Sequence, residues 1–317
     1  MTKVAVLDDY QEVALQMADW KSLPSEAEVI VFKNHLSDEN DISKRLEQFE
    51  VVSAMRERTP FPKRLLEKLP NLKLLVTTGM RNASIDIPAA SKLGITVCGT
   101  EGLGYPTAEL TWGLIVSLAR KISEENSSSR SGSWQTTLGI GLNGKTLGIL
   151  GLGNLGSQVA RIGNAFGMNV IAWSQNLTEE RAIENGVTLV TFDDLMKNPD
   201  FLSIHTVLSE RTRGLIGEKE LNFMKPTAFL INTSRGPIVD EEALVQALRE
   251  GVIAGAGLDV FDTEPLPCQH PFLTLPNTLI TPHMGYVTVE GYKIFYSQTV
   301  ECINQYLNGT PVRVLNP

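Results

Sequence analysis

The stretch from Lys145 to Ser174 constrains the fold more than any other part of the chain. It opens on an apolar run, Thr146-Leu147-Gly148-Ile149-Leu150, with the length and composition of a fully buried parallel strand. Gly151-Leu152-Gly153-Asn154-Leu155-Gly156 follows and reads G-x-G-x-x-G. Leu155, Val159, Ile162 and Phe166 then recur at helical spacing, Gly167 ends the helix, and Val170-Ile171-Ala172-Trp173 forms a second buried strand. Strand, glycine turn, helix and strand within about thirty residues make one βαβ unit. In such a unit Gly151 makes the tight turn, Gly153 admits a pyrophosphate to the backbone, and Gly156 lets helix and strand lie close. The helix start at Asn154 and Leu155 presents unpaired N–H groups and the positive end of the helix dipole. The pattern therefore predicts dinucleotide binding.

Shorter α/β alternations surround this unit. Before it, strands are expected at Lys3–Asp8, Ala27–Phe32, Val51–Ala54, Leu72–Val76 and Ile95–Cys98, with helices between them. A long apolar helix runs from Thr107 to Arg120, and the serines of Ser127–Ser133 read as a solvated loop or a frayed helix end. After it, further strands are expected at Thr188–Val190, Phe201–Ile204, Ala228–Asn232, Gly255–Asp259 and Thr278–Thr281. Asp240 is placed to cap a helix over Glu241–Glu250, and a last helix covers Glu290–Leu307. The last predicted strand, Val312-Arg313-Val314-Leu315, has no room in a completed second sheet, so it is expected to return to the first. The fold class is then α/β with two doubly wound parallel-sheet domains. A Rossmann-type nucleotide-binding domain, residues 102–289, is inserted into a smaller flavodoxin-like substrate domain, residues 1–101 and 290–317. Two crossings by long helices would make a hinge with a cleft that closes over a ligand.

Composition narrows the partners. Lys plus Arg number 28 against 36 Asp plus Glu, and the resulting charge of −8 is spread along the chain. That excludes a nucleic-acid or anionic-membrane surface. The N-terminus leads straight into a strand with no signal-peptide layout, and no apolar run is long enough to span a bilayer, so a cytoplasmic location is expected. Cys98, Cys268 and Cys302 are scattered without a C-x-x-C, which points away from disulfides and from a metal site.

Three polar loops follow predicted strands in the second half. Asn232-Thr233-Ser234-Arg235-Gly236 carries an arginine, Asp259-Val260-Phe261-Asp262-Thr263-Glu264-Pro265 carries acids, and Thr281-Pro282-His283-Met284-Gly285 carries a histidine. Ligands of open α/β sheets sit beyond the carboxyl ends of the strands, so all three loops point to the crevice of the glycine turn. A dinucleotide offers hydride transfer to a carbonyl carbon, and the carbonyl oxygen then needs a proton. His283 suits that proton near neutrality. A carboxylate, Glu264 or alternatively Asp262, would orient the imidazole and favour its charged form. Arg235 would clamp a substrate carboxylate bidentately and polarise the carbonyl. His35, His205 and His270 read as structural.

The set GLGNLG, NTSRGPIVDEEAL, GAGLDVFDTEPL and TPHMGY, in this order, resembles the D-isomer-specific 2-hydroxyacid dehydrogenases. The resemblance implies a catalytic trio of Arg235, Glu264 and His283. It implies that Asp259 accepts from the nicotinamide carboxamide and that Thr206 and Thr233 lie along the cofactor. It also implies that Thr77–Asn82 forms a substrate-carboxylate loop, with Gly79, Met80 and Arg81, and that the nucleotide-binding domain forms a homodimer through the helix from Thr107. The substrate is then a small 2-oxo or 2-hydroxy acid. A dinucleotide-sensing corepressor of the same fold is the alternative, and the full trio argues against it.

Two departures from the family pattern matter. The family's acid for the adenosine ribose is replaced by Ser174, followed by Asn176 and Thr178, with Arg181 on the next helix. Loss of that carboxylate removes repulsion of a 2′-phosphate, so the cofactor is NAD(P), with NADP favoured and NAD not excluded. Met80-Arg81 also departs from the usual small or aromatic residue. With Met55 and Arg56, expected in another pocket wall, it offers Arg56 and Arg81 to a second anionic group or to neighbouring acids. Nothing after Leu315 corresponds to the regulatory domain of long phosphoglycerate dehydrogenases, so control of that kind is not expected.

Overall fold

Strand and helix alternate along the chain in two sets. The computed structural model describes residues 1–316. By contacts the chain divides into Gly104–Tyr286 and a unit made of Met1–Leu103 with the stretch from Val287 onward. In the discontinuous unit, β1 (Thr2–Val6), β2 (Ala27–Val31), β3 (Val51–Ala54), β4 (Leu74–Thr77) and β5 (Thr96–Gly99) form a five-stranded sheet in the order β2-β1-β3-β4-β5. Every pairing is parallel, the doubly wound order of flavodoxin-like sheets. Helices α1 (Glu39–Leu46), α2 (Lys63–Leu66) and α3 (Ile87–Lys92) cover one face. Leu7, Val52, Ala54, Leu75 and Val97 meet Ile42, Leu46 and Leu65 in its core. β3, β4 and most of β1 and β5 are buried on both faces, which is why they read as apolar runs, whereas the edge strand β2 is only half-buried.

The second unit begins with α4 (Pro106–Arg120) and α5 (Ile122–Arg130). Of the serines expected as a loop or frayed helix end, Ser127, Ser128 and Ser129 form the last turn of α5, while Ser131 and Ser133 follow it, and no residue of this helix is buried. Lys121, in the left-handed region at φ +53, breaks α4 from α5. β6 (Thr146–Leu150), α6 (Asn154–Ala165) and β7 (Asn169–Trp173) form the central βαβ unit. α7 (Glu179–Glu184), β8 (Thr188–Leu189), α8 (Phe192–Lys197), β9 (Phe201–Ile204), α9 (Glu218–Phe223), β10 (Phe229–Asn232), α10 (Glu241–Glu250), β11 (Gly255–Leu258) and β12 (Thr278–Ile280) complete it. The sheet runs β12-β11-β10-β9-β6-β7-β8, again wholly parallel.

Because side chains alternate along each strand, this sheet feeds two cores. Leu150, Leu202, Leu230 and Leu258 join Leu195, Leu221 and Leu244 on one face. Leu147, Ile149, Phe201 and Ile231 join Trp112, Ile115 and Val159 on the other. The apolar residues of α4 are thus consumed inside their own unit. At roughly 25 cal/mol per Å² of apolar surface, each fully buried Leu or Phe in these cores contributes about 1.5–3 kcal/mol.

The chain ends in α11 (Val289–Leu307), which lies against β4 in the discontinuous unit. The run Val312–Leu315 does reach that unit's sheet. It makes a single antiparallel bridge, Val314 to Cys98, and a hydrogen bond from Leu315 N–H to Val97 O at 2.7 Å, rather than a full strand. Among the described residues, no helix is long and apolar enough to cross a membrane.

Candidate active site

A parallel sheet puts the C-terminal ends of all its strands on one edge. In the second unit this gathers the loops after β6, β9, β10, β11 and β12. After β6, Gly151 turns back with φ +101, a conformation L side chains rarely adopt. A Cβ there would come within 2.8 Å of the His205 carbonyl carbon and the Thr206 nitrogen, so the turn rests on the loop after β9. A Cβ on Gly156 would overlap the Gly151 carbonyl, which shows how closely helix and strand approach. Around the Cβ position of Gly153 nothing lies within 4 Å. Helix α6 also starts without a side-chain cap, so the N-terminal amides of Asn154 and Leu155 are available to a ligand. Open space beside uncapped amides is a cradle that fits the pyrophosphate of a dinucleotide.

At the end of β7, Ser174 sits under this turn, and its Oγ accepts from Leu152 N–H at 2.8 Å. The hydroxyl proton stays available for donation. Asn176, Thr178 and Arg181 are exposed, with Thr178 capping α7.

After β10 the chain makes an Asx turn. Asn232 Oδ1 accepts from Ser234 N–H at 3.0 Å, and its Nδ2 donates to Arg235 O at 2.9 Å. Thr233 is tied to Thr111 of α4 through their hydroxyls, 2.8 Å apart. Ser234 Oγ donates to Thr206 O, so the loops after β9 and β10 are joined. The Arg235 side chain donates from Nη1 to Ser234 O at 2.7 Å.

After β11, the carboxylate of Asp259 is 1% exposed and carries three donors. Oδ1 accepts from the Thr281 hydroxyl at 2.6 Å and Met284 N–H at 2.8 Å, and Oδ2 from Gly285 N–H at 2.9 Å. Burial pushes its pKa up, and these hydrogen bonds oppose the shift. Asp259 therefore brackets the loop that carries His283, which takes φ +50. Glu264 Oε1 accepts from Phe261 N–H at 2.9 Å, and its Oε2 lies 2.5 Å from His283 Nδ1. Tyr286 meets the imidazole edge-on, with ring centroids 5.7 Å apart. Asp262 instead faces Glu241, and burial together with that like charge raises its pKa. Of the two acids offered by the sequence, Glu264 is the one beside His283.

The remaining sequence-derived residues belong to the discontinuous unit. Gly79 has φ +99, and its N–H donates to Thr100 Oγ1 at 2.9 Å. The Arg56 guanidinium lies across Gly79, so that a Cβ would collide with it, and Nη1 donates to Thr78 O at 3.3 Å. Met80 and Arg81 are exposed, whereas Met55 is buried and its sulfur accepts from the Thr78 hydroxyl at 3.3 Å.

The three other histidines each have a partner. His35 Nδ1 lies 3.0 Å from Asp8 Oδ1, His205 Nε2 lies 2.8 Å from Ser203 Oγ, and His270 Nε2 lies 3.0 Å from Glu241 Oε1. Burial lowers the pKa of His205 to about 4, so its ring is neutral at physiological pH. Sequence reading missed Asn232, Thr281 and Glu241 as residues that shape these loops. Asn232 alone had a local signal, as an Asx residue heading a turn.

Comparison with known proteins agrees with this picture. Residues 112–285 match the family model described as D-isomer specific 2-hydroxyacid dehydrogenase, NAD binding domain. The chain is 45% identical over 236 residues to a glyoxylate reductase of Aeropyrum pernix, covering 71% of this chain and 70% of that one. It is 36% identical over 313 residues to a D-3-phosphoglycerate dehydrogenase of Methanocaldococcus jannaschii, covering 98% of this chain but 58% of that longer one. A solved phosphoglycerate oxidoreductase from Vibrio cholerae O395 superposes with a TM-score of 0.92 at 36% identity, covering 98% of this chain and 100% of that chain.

Proposed function

The chain belongs to the D-isomer specific 2-hydroxyacid dehydrogenase family, and from that premise we propose that Arg235, Glu264 and His283 interconvert a 2-oxo acid and its D-2-hydroxy acid. The observation that carries this reading is the Glu264–His283 pair, 2.5 Å apart on the strand-end edge that also holds the glycine turn. When bound, the nicotinamide dinucleotide supplies hydride exchange with the substrate carbon. Glu264 accepts the Nδ1 proton of His283, which fixes the tautomer and leaves Nε2 to give or take the proton on the substrate oxygen. Arg235 binds the substrate carboxylate through its fork of N–H groups and polarises the carbonyl. Gly151, Gly153, Asn154, Leu155 and Gly156 hold the pyrophosphate, and Thr206 and Thr233 flank the cofactor. Asp259 keeps lone pairs beyond its three donors, enough to accept from the carboxamide.

Two finer assignments follow the same reasoning. The hydroxyl of Ser174 in place of a carboxylate supports acceptance of a 2′-phosphate, hence NADP with NAD also usable. Gly79, Met80, Arg81, Met55 and Arg56 are assigned to substrate binding, and the two arginines suit a second anionic group on the 2-oxo acid. The relatives' names divide along that line, between glyoxylate and a phosphorylated acid. A panel of 2-oxo acids, small, bulky and phosphorylated, assayed with NADPH and with NADH, tests both. No turnover on any of them would overturn the proposal. Preference for unsubstituted glyoxylate would remove the role given to Arg56 and Arg81. A homodimer is also proposed, but α4 buries its apolar face within its own unit. The contact would instead use Ile122, Trp134 and Leu138, which are 48%, 81% and 91% exposed.

A further inference from the structure

The loop that carries Glu264 is held from outside by groups the mechanism above does not use. Glu241, in the first turn of α10, spreads its carboxylate over two donors of that loop. Oε2 accepts from Asp262 N–H at 3.2 Å, and Oε1 lies 3.0 Å from His270 Nε2. The direction of the second bond is determined by a third. Phe272 N–H lies 3.3 Å from His270 Nδ1, so Nδ1 must accept and Nε2 is the protonated nitrogen. His270 therefore donates to Glu241. Facing one donor on each oxygen, position 241 needs a carboxylate, because an amide accepts on one side only.

These two bonds flank Glu264, one at Asp262 and one at His270. Just before the first of them, Phe261 N–H fixes Oε1 of Glu264, which leaves Oε2 to His283. The turn after Arg235 rests on the same segment, since a Cβ on Gly236 would run into the Phe261 carbonyl. A loop this short, tied at both flanks, sets the position of the carboxylate and hence of the imidazole.

We propose that Glu241 and His270 are positioning residues that hold Glu264, and through it His283, in register for proton transfer. The proposal rests on the assignment of Glu264 and His283 made above.

Substitutions at His270 separate its two bonds. His270→Asn keeps an oxygen where Nδ1 caps Phe272 and removes the donor to Glu241, whereas His270→Gln restores a donor at the reach of Nε2. Steady-state kinetics, dinucleotide titration and thermal melts would be compared across both variants. His270→Asn is expected to lose turnover by roughly tenfold to a hundredfold, the effect of a small misplacement of a reacting group. Its dinucleotide Kd and Tm should stay near those of the parent, and His270→Gln should recover most of the rate. Glu241→Gln, which can serve only one donor, should show a smaller loss of the same kind. In a His283→Ala background His270→Asn should cost nothing more, because both act through one group. Parental turnover in His270→Asn overturns the proposal, as does a loss that is additive with His283→Ala or that tracks Tm without rescue by His270→Gln. Parental turnover in His283→Ala alone would instead remove the acid–base assignment beneath it.

Discussion

His283 occupies the left-handed backbone region, with φ +50. For a residue with a Cβ this costs roughly 1–2 kcal/mol, and such conformations persist where the surroundings over-determine them. Here the surroundings are Asp259, which holds Thr281, Met284 and Gly285 on either side of it, and Glu264, which holds its ring. His283→Ala is therefore expected to lower kcat by about 10²–10⁴-fold, the usual size of a general acid–base contribution. Dinucleotide affinity, measured by fluorescence titration, should be nearly unchanged. A second expectation concerns His205, whose pKa burial depresses to about 4 from an ordinary value of 6.5. Its neutral ring contributes stability that is fully present above pH 6.5 and is lost as pH falls through about 4, because the unfolded chain takes up the proton first. Melting temperatures of the parent and His205→Gln should thus converge between those two pH values. A constant difference across that window would count against the buried neutral imidazole.

At the scale of elements, the βαβ unit depends on backbone approach more than on side chains. The Gly156 position has no room for a methyl group against the Gly151 carbonyl, so Gly156→Ala must push α6 away from β6. Overpacking of this kind typically costs about 1–3 kcal/mol. It should lower Tm and weaken dinucleotide binding together, and loss of only one of the two would contradict the cradle. α10 was readable to the residue, since Asp240 does cap it by accepting from Ala243 N–H. α5 was not, because a polar run without periodicity has no buried face to announce it, and none of its residues is buried. The terminal run Val312–Leu315 was legible as a strand that pairs with the first sheet but not as a bare bridge, since pairing length is decided by what edge remains open beside β5.

For the whole molecule, the proposed homodimer would cover the exposed apolar side chains of Trp134 and Leu138. Sedimentation analysis should give a dimer for the parent, and Trp134→Ser with Leu138→Ser should shift it toward monomer. A monomeric parent would refute the assembly.

The amino-acid order by itself determined the alternation of strands and helices, the glycine turn and the loops that carry Arg235, Glu264 and His283. Those features are local, because periodicity, β-branched runs and glycine spacing act over a few residues. Tertiary structure alone decided which polar groups meet. Glu264 rather than Asp262 faces His283, Asp259 holds the histidine loop, and Glu241 with His270 ties down the acid's loop. These pairs span up to 29 residues of chain. They form because parallel pairing sets β10, β11 and β12 side by side with their carboxyl ends on one edge. No pattern along the chain encodes that adjacency.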